Sequence, residues 1–320
     1  MKRVKFYLII ATVVAVVIFG VRFAQDVDDW RKLLSYQPSP AIAKLATTTT
    51  MTETGRRLFY VNNPTIEARK SSLNLCKSSE QTIVLGCYVV SKGIFLQSVV
   101  DPRLQGVMEV TAAHEMLHVA YQRMSLFEQS QLNKQTEAVL KQLQNPRILK
   151  LVETYNSQDP RSVDNELHSI LGTEVRNLSP ELEDHYRKYF TDRSATVALS
   201  EQYEGIFTAL RTKEKTLNQQ LTTRKVALEQ LVAQVKQEAA AVEADRANLQ
   251  GSIVSNPAAD LSFRVANFND RVRNYNQLVS QLREQTDTYN QLVTEHNSLA
   301  LEEKSLVESL ENKSTEQVAR

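Results

Sequence analysis

The pattern of apolar and polar positions divides the chain into three stretches with different rhythms. Phe6–Val21 is an unbroken apolar run, FYLIIATVVAVVIFGV, without a charge. Residues 25–193 alternate short apolar segments with turn-forming residues. Beyond residue 193, apolar side chains recur every three or four positions in one long train. Each rhythm predicts a different kind of element.

The first run, extended past Arg22 by Phe23 and Ala24, is near the lower length limit for a membrane-spanning helix. Lys2, Arg3 and Lys5 precede it, and Asp26, Asp28 and Asp29 follow it. Positive charge stays on the cytoplasmic side, so the pattern predicts a single-pass membrane protein. Residues 1–5 form a cytoplasmic tail, 6–24 the anchor, and the rest of the chain lies outside the cytoplasm. The alternative is a cleaved signal peptide. Cleavage after Ala24 would put Arg22 at −3, where a small residue is wanted, which favours the anchor.

The middle stretch mixes two periods. Residues 25–40 read as a juxtamembrane helix ended by Pro38 and Pro40. Ile42, Leu45 and Met51 then have helical spacing, and Gly55 ends that segment. LFYV (Leu58–Val61) reads as a strand closed by Asn63 and Pro64. TIVLGCYVV (Thr82–Val90) and IFLQSVV (Ile94–Val100) are β-rich runs joined by Ser91-Lys92-Gly93, a hairpin turn. Together they predict a small antiparallel sheet. From Leu104 the period is helical. VMEVTAAHEMLHVAYQRM is one helix, with Val107, Val110, Ala113, Leu117 and Tyr121 on its apolar face. Ser125 with Glu128 three residues on has the capping-box spacing. PRILKLVETY, RSVDNELHSILGTEVRNL and SPELEDHYRKYF follow, the last with Pro180 at a first helical position.

The third stretch is heptad-like. Leu221, Leu228, Val235, Val242 and Leu249 fall every seven residues. Val265, Phe268, Val272, Tyr275, Val279, Leu282, Thr286, Tyr289 and Val293 alternate by three and four. The one strong breaker is GSIVSNPAAD (251–260). Two arms of roughly 50 residues, about 75 Å each at 1.5 Å per residue, suggest an antiparallel coiled-coil hairpin over 194–320. Two parallel coils in a dimer are the alternative, disfavoured by the short loop. Such a coil predicts a protein partner or self-association.

Composition narrows this picture. Lys and Arg total 38 against 37 for Asp and Glu, so a nucleic-acid partner is not expected. Eight Gly and eight Pro in 320 residues are few, which suits a mostly helical α+β chain. Cys76 and Cys87 can close a short loop. A disulfide is the natural reading in an oxidising compartment, with two buried thiols as the alternative.

The candidate chemistry is HEMLH, His114–His118. Four residues apart on a helix, His114 and His118 share a face and can hold one zinc. Glu115, about 100° round the helix, can take a proton from a water at the open coordination position. Chance alone gives such a pattern in roughly one chain of this composition per hundred. Four of the five histidines lie between positions 114 and 185, in the segment that reads as globular.

Met108–Arg123 resembles the active-site helix of zincin metallopeptidases. No metzincin extension follows His118. The later acidic helix, DNELHSILGTEV, resembles the gluzincin arrangement, in which a Glu on a second helix is the third zinc ligand. Asn165, Glu166 and Ser169 match that motif, and Ile170 stands where its final acid belongs. The resemblance, covering about residues 82–190, implies a zincin-like helical catalytic domain within 41–193. It also implies a zinc peptidase with Glu115 as general base and Glu166 as third ligand. Glu174, on the apolar stripe of Leu167, Ile170, Leu171 and Leu178, competes for that role, since a carboxylate there needs a metal or another partner. His168 is a further alternative.

A peptidase also needs a donor for the oxyanion, and His185, Tyr186, Tyr155 and His168 are candidates. Ile94, Phe95, Leu96, Gln97 and Ser98 could pair with an extended substrate as an added strand. The expected function is therefore a membrane-anchored, extracytoplasmic, zinc-dependent peptidase acting on a peptide or protein. The alternative is a structural or interaction protein whose coil carries the function, with an inactive or regulatory zinc module.

Overall fold

A computed structural model describes residues 20, 23–67, 76, 85–255 and 260–310. The protein is a mostly helical α+β chain in two compact units. One comprises the chain up to Ile206 together with the segment from Leu306, and the other runs from Phe207 to Ser305.

The first unit opens with helix α1 (residues 23–35), then α2 (Pro40–Thr48) and α3 (Glu53–Tyr60). Ser39 and Thr52 start α2 and α3 by accepting a backbone N–H on their hydroxyls. The LFYV stretch is therefore not a strand. Leu58 and Phe59 lie within α3 and are buried in the core, which outweighs the strand preference of Phe and Tyr. Asp29 of α1 is almost fully buried and holds Arg123 through two guanidinium contacts, one of them 2.8 Å long.

Strands β1 (Thr65–Glu67), β2 (Gly86–Val89) and β3 (Gly93–Gln97) form one sheet in the order β1-β3-β2. The expected hairpin is present, with Cys87 opposite Phe95 and Tyr88 opposite Ile94. The sheet is mixed rather than antiparallel, because β1 pairs with β3 in parallel, Ile66 opposite Leu96. Three residues after Pro64 were too short a run to read as a strand. Ile94 and Leu96 are fully buried, as a central strand requires. Cys76 and Cys87 form a disulfide with a Cα–Cα distance of 5.8 Å. The N-terminal end of the TIVLGCYVV run lies outside the described residues.

A 3₁₀ turn (Pro102–Leu104) leads to the central helix α4 (Val107–Gln122). It starts at Gly106, whose φ of 100° is in the left-handed region and whose Cβ would press on the Leu199 carbonyl. More of α4 is buried than the one face read from the sequence: Met116 and Val119 lie inside as well as Leu117 and Ala113. It packs on α2, α3, β2 and β3. Burial of each large apolar side chain stabilises by about 1.5–3 kcal/mol. Helices α5 (Leu126–Leu140), α6 (Pro146–Gln158), α7 (Val163–Glu174) and α8 (Pro180–Tyr186) complete the unit. The capping box at Ser125 and Glu128 is formed. Gly172 lets α7 lie against α4, since a Cβ there would collide with Leu117 Cδ1 and meet Tyr186 Cε1 at 2.7 Å.

Helix α9 (Arg193–Ser255) and helix α10 (Ser262–Leu310) supply the second unit. Within it they run antiparallel. Lys213 pairs with Glu295 at 2.9 Å, Arg224 with Gln285 at 3.2 Å and Asp245 with Arg271 at 2.7 Å, so one number rises as the other falls. The heptad positions Leu221, Leu228, Val272 and Leu282 are half-buried, and Leu217 and Leu299 fully so. The last turn of α10 returns to the first unit, where Ser309 bonds Asp101 at 3.0 Å and Leu306 is buried.

The single-pass topology is corrected here. Among the described residues no helix is long and apolar enough to cross a membrane. The apolar run Phe6–Val21 lies outside the described residues apart from Gly20. Helix α1, which follows it, carries Asp26, Asp28, Asp29, Arg31 and Lys32, too dense a set of charges for a bilayer. The extracytoplasmic placement rested on that run and falls with it.

Candidate metal centre

Helix α4 delivers His114, Glu115 and His118 to one place. Their ligand atoms lie within 4.8 Å of one another. Helix α7 brings the Glu166 carboxylate to the same point, with Oε2 3.4 Å from His114 Nε2 and Oε1 3.6 Å from His118 Nε2. Ser169, one turn further along α7 and fully buried, places its Oγ 3.2 Å from His118 Nδ1. That contact occupies one ring nitrogen and leaves Nε2 turned toward Glu166.

Two features fix α7 in position. The buried Arg193 guanidinium donates to the carbonyls of Val175 at 2.6 Å and Arg176 at 2.8 Å, and it is paired with Glu183. It also donates to the Leu171 carbonyl at 3.3 Å, one of those that the end of α7 leaves without an intrahelical partner. Asn133 of α5 bonds Asp164 at 2.6 Å at the start of α7.

The site opens into a cleft of about 570 Å³. His114, Glu115 and His118, Tyr88 of β2, Tyr155 of α6, Asn165 and Glu166 of α7 and Tyr203 at the base of α9 all line it. Glu115 is buried, and burial pushes its carboxyl up to about 7. The His118 ring works against that shift and the Glu166 carboxylate adds to it, while the Tyr88 backbone N–H donates to Glu115 and lowers it. Burial works to raise Glu166 as well, but His118, His114 and a hydrogen bond from the Tyr155 hydroxyl outweigh it, and its pKa is lowered. Glu166 thus stands as an anion among imidazoles, and Glu115 is poised for proton transfer near neutral pH.

The donor set fits zinc. Two imidazole Nε2 atoms and a carboxylate are its usual nitrogen and oxygen ligands. Glu166 Oε2 is buried and, beyond the His114 ring 3.4 Å away, has no partner in the protein, as expected of an oxygen reserved for a cation. Glu174, the competing carboxylate, borders the same cleft but is held by Arg147, which also pairs with Glu204 at 3.2 Å. Its partner on the apolar stripe is therefore an arginine. The sequence offers no periodic signal for that pairing, because Arg147 lies a helix away.

The candidate oxyanion donors separate. Tyr155 borders the cleft, with its hydroxyl on Glu166. Tyr186 is fully buried and gives its hydroxyl to the His168 carbonyl at 2.7 Å. His168 is fully buried too, with Nε2 3.0 Å from His185 Nε2. Burial drives both imidazoles neutral, His168 well below its ordinary value and His185 down to about 4. His168, His185 and Tyr186 are therefore core-packing groups outside the cleft, and His168 is not brought to the metal centre.

The substrate-strand assignment is also corrected. Ile94–Gln97 belong to β3, which is hydrogen-bonded on both sides and has no edge to offer, and Ser98 follows it with its N–H on the Glu67 carbonyl. The strand on the cleft is β2, which among the described residues pairs only with β3. The Gln97 N–H bonds the Leu85 carbonyl at 2.7 Å, so odd-numbered residues face β3. Gly86 and Tyr88 turn their backbone groups the other way. Tyr203 was missed because its helix reads as coil throughout.

Compared with known proteins, the chain matches no family model, no curated protein and no solved structure.

Proposed function

We propose that the chain is a zinc-dependent peptidase whose first unit is a zincin-like catalytic domain and whose second is a coiled-coil hairpin. The observation that carries this reading is the meeting of His114, His118 and Glu166 beside a buried Glu115 whose carboxyl titrates near neutrality. His114, His118 and Glu166 would hold the ion, with Ser169 orienting His118 and Tyr155 orienting Glu166. When bound, zinc supplies Lewis acidity, polarising a carbonyl and lowering the pKa of a water.

The chain's own residues supply the rest. Glu115 accepts a proton from the attacking water and returns it to the leaving amine. The Tyr88 N–H keeps the Glu115 carboxylate turned toward the cleft. The outward N–H and C=O of Gly86 and the C=O of Tyr88, whose N–H is on Glu115, would take an extended peptide as an added strand, which suits a peptide substrate of loosely defined sequence.

A second reading has one observation in its favour. Helices of 63 and 49 residues are far more than a peptidase domain needs, and they suit a protein partner or self-association. The protein would then be an interaction module with a zinc-binding root. Metal content and turnover separate the two. We expect one zinc per chain, lost in His118→Ala and Glu166→Ala. Glu115→Gln should keep the zinc and lose hydrolysis of an internally quenched peptide mixture by at least about 100-fold. Zinc without hydrolysis in the unaltered protein supports the interaction module. No zinc in protein purified without chelator refutes both.

A further inference from the structure

Asn165 immediately precedes Glu166 on α7 and lines the cleft, yet it has no role in holding the metal ligands. Its Oδ1 is buried and has no hydrogen-bond partner in the protein. A buried amide oxygen without a partner is costly, of order 1–3 kcal/mol, and native structures rarely keep one without a use. Three polar groups near it on α7 are engaged elsewhere. Asp164 is held by Asn133, Ser169 by His118, and Glu166 by Tyr155 and the imidazoles. Nothing in the protein fixes the Asn165 carboxamide in the orientation it has. Its terminal torsion is broad and roughly two-fold, so the amide can turn toward the cleft at low cost.

We infer that Asn165 is a substrate-binding residue that pairs its carboxamide with a backbone peptide group of the substrate. The inference rests on the peptidase reading. A peptide added to β2 satisfies only one of its two edges, through Gly86 and the Tyr88 carbonyl. The other edge faces into the cleft, where α7 carries Asn165 beside the metal centre. A carboxamide matches a peptide group donor for acceptor: Nδ2–H donates to the substrate carbonyl and Oδ1 accepts the substrate N–H. This pairing gives Oδ1 the partner it lacks and is blind to side-chain identity. It extends loosely specific backbone recognition to both edges of the substrate.

The test uses the full chain loaded with zinc and the best-cleaved member of a random, internally quenched peptide mixture. Asn165→Ala should raise KM about tenfold, with kcat within about twofold and zinc content unchanged. A scan of single ester replacements along the peptide adds a readout that a structural role would not move. One ester position should raise KM for the unaltered protein and leave Asn165→Ala unaffected, because the pairing lost is the same one. An unchanged KM in Asn165→Ala overturns the assignment, as does an ester scan with the same profile in both proteins. Loss of zinc from Asn165→Ala would also overturn it, by making the residue part of the metal centre. Failure of the zinc-loaded, unaltered protein to cleave any member of the mixture would instead overturn the peptidase reading, and this assignment with it.

Discussion

Ser169→Ala tests the proposed metal centre where its geometry is most demanding. The hydroxyl lies 3.2 Å from His118 Nδ1 and both groups are buried. A metal on Nε2 forces the imidazole proton onto Nδ1, and Ser169 Oγ is then its acceptor. Without the metal the proton can move to Nε2, and Nδ1 then accepts from the Ser169 hydroxyl instead. Deleting Oγ strands a buried N–H in the metal-bound state, where the tautomer is fixed, whereas the free ring can switch tautomer and is left at worst with an unpartnered acceptor, so the metal-bound state is penalised more. The penalty is that of a buried N–H without a partner, about 1–3 kcal/mol. At 1.4 kcal/mol per decade this weakens zinc binding roughly 5- to 150-fold, which brackets the roughly 10- to 100-fold usual for such supporting contacts. A competition titration against a zinc-binding dye at pH 7.5 reads it directly, and thermal unfolding of the metal-free protein controls for general damage. A zinc affinity within twofold of the unaltered protein would refute the reasoning and with it the choice of Nε2 as the ligating atom.

Other consequences follow from the fold. Asp29 is nearly buried and Arg123 is more exposed, at 2% and 22% of their side chains, so their removal should be asymmetric. Arg123→Met strands a buried carboxylate and should destabilise by about 3–5 kcal/mol, whereas Asp29→Ala should cost about 1 kcal/mol; equal losses in urea unfolding would contradict this. The hydrogen bond from Arg103 holds the Asp101 carboxyl well below its ordinary value of 3.8, against the effect of burial, and the Ser309 hydroxyl helps. A depressed pKa contributes stability above the unfolded value and loses it as pH falls through the folded one. Acid unfolding below about pH 4 should therefore be less steep in Asp101→Asn, and identical profiles would rule the carboxylate out. Cys76 and Cys87 are 11 residues apart. Replacing both by serine should cost about 3 kcal/mol through the freedom regained by the unfolded loop, and a loss under 1 kcal/mol in chemical denaturation would mean the sheet holds β2 without it.

The sequence alone determined whatever depends on near neighbours along the chain. The spacing of His114 and His118 fixed a shared helix face, because 3.6 residues per turn brings positions i and i+4 together. Ser125 with Glu128 fixed a helix start, Pro180 another, and Ser91-Lys92-Gly93 the β2–β3 turn. The heptads of 221–249 and 265–293 marked two long helices with one break between them. Decisions between distant segments were out of reach. LFYV became helix because Leu58 and Phe59 found the core, and strand preference is worth less than that burial. β3 rather than β2 became the central strand because Thr65–Glu67, too short to signal itself, paired with it. Glu166, favoured by its match to the motif, and Glu174 read as rivals, both carboxylates on one helix. Only packing put Arg147 on Glu174 and left Glu166 facing two imidazoles. His168, His185 and Tyr186 have the right chemistry for a site, but burial turned them inward. Local hydrogen bonds and periodicity write themselves into the sequence because their partners are a fixed number of residues away. Charge pairing and burial between separate elements depend on how those elements meet, and only the tertiary structure decides that.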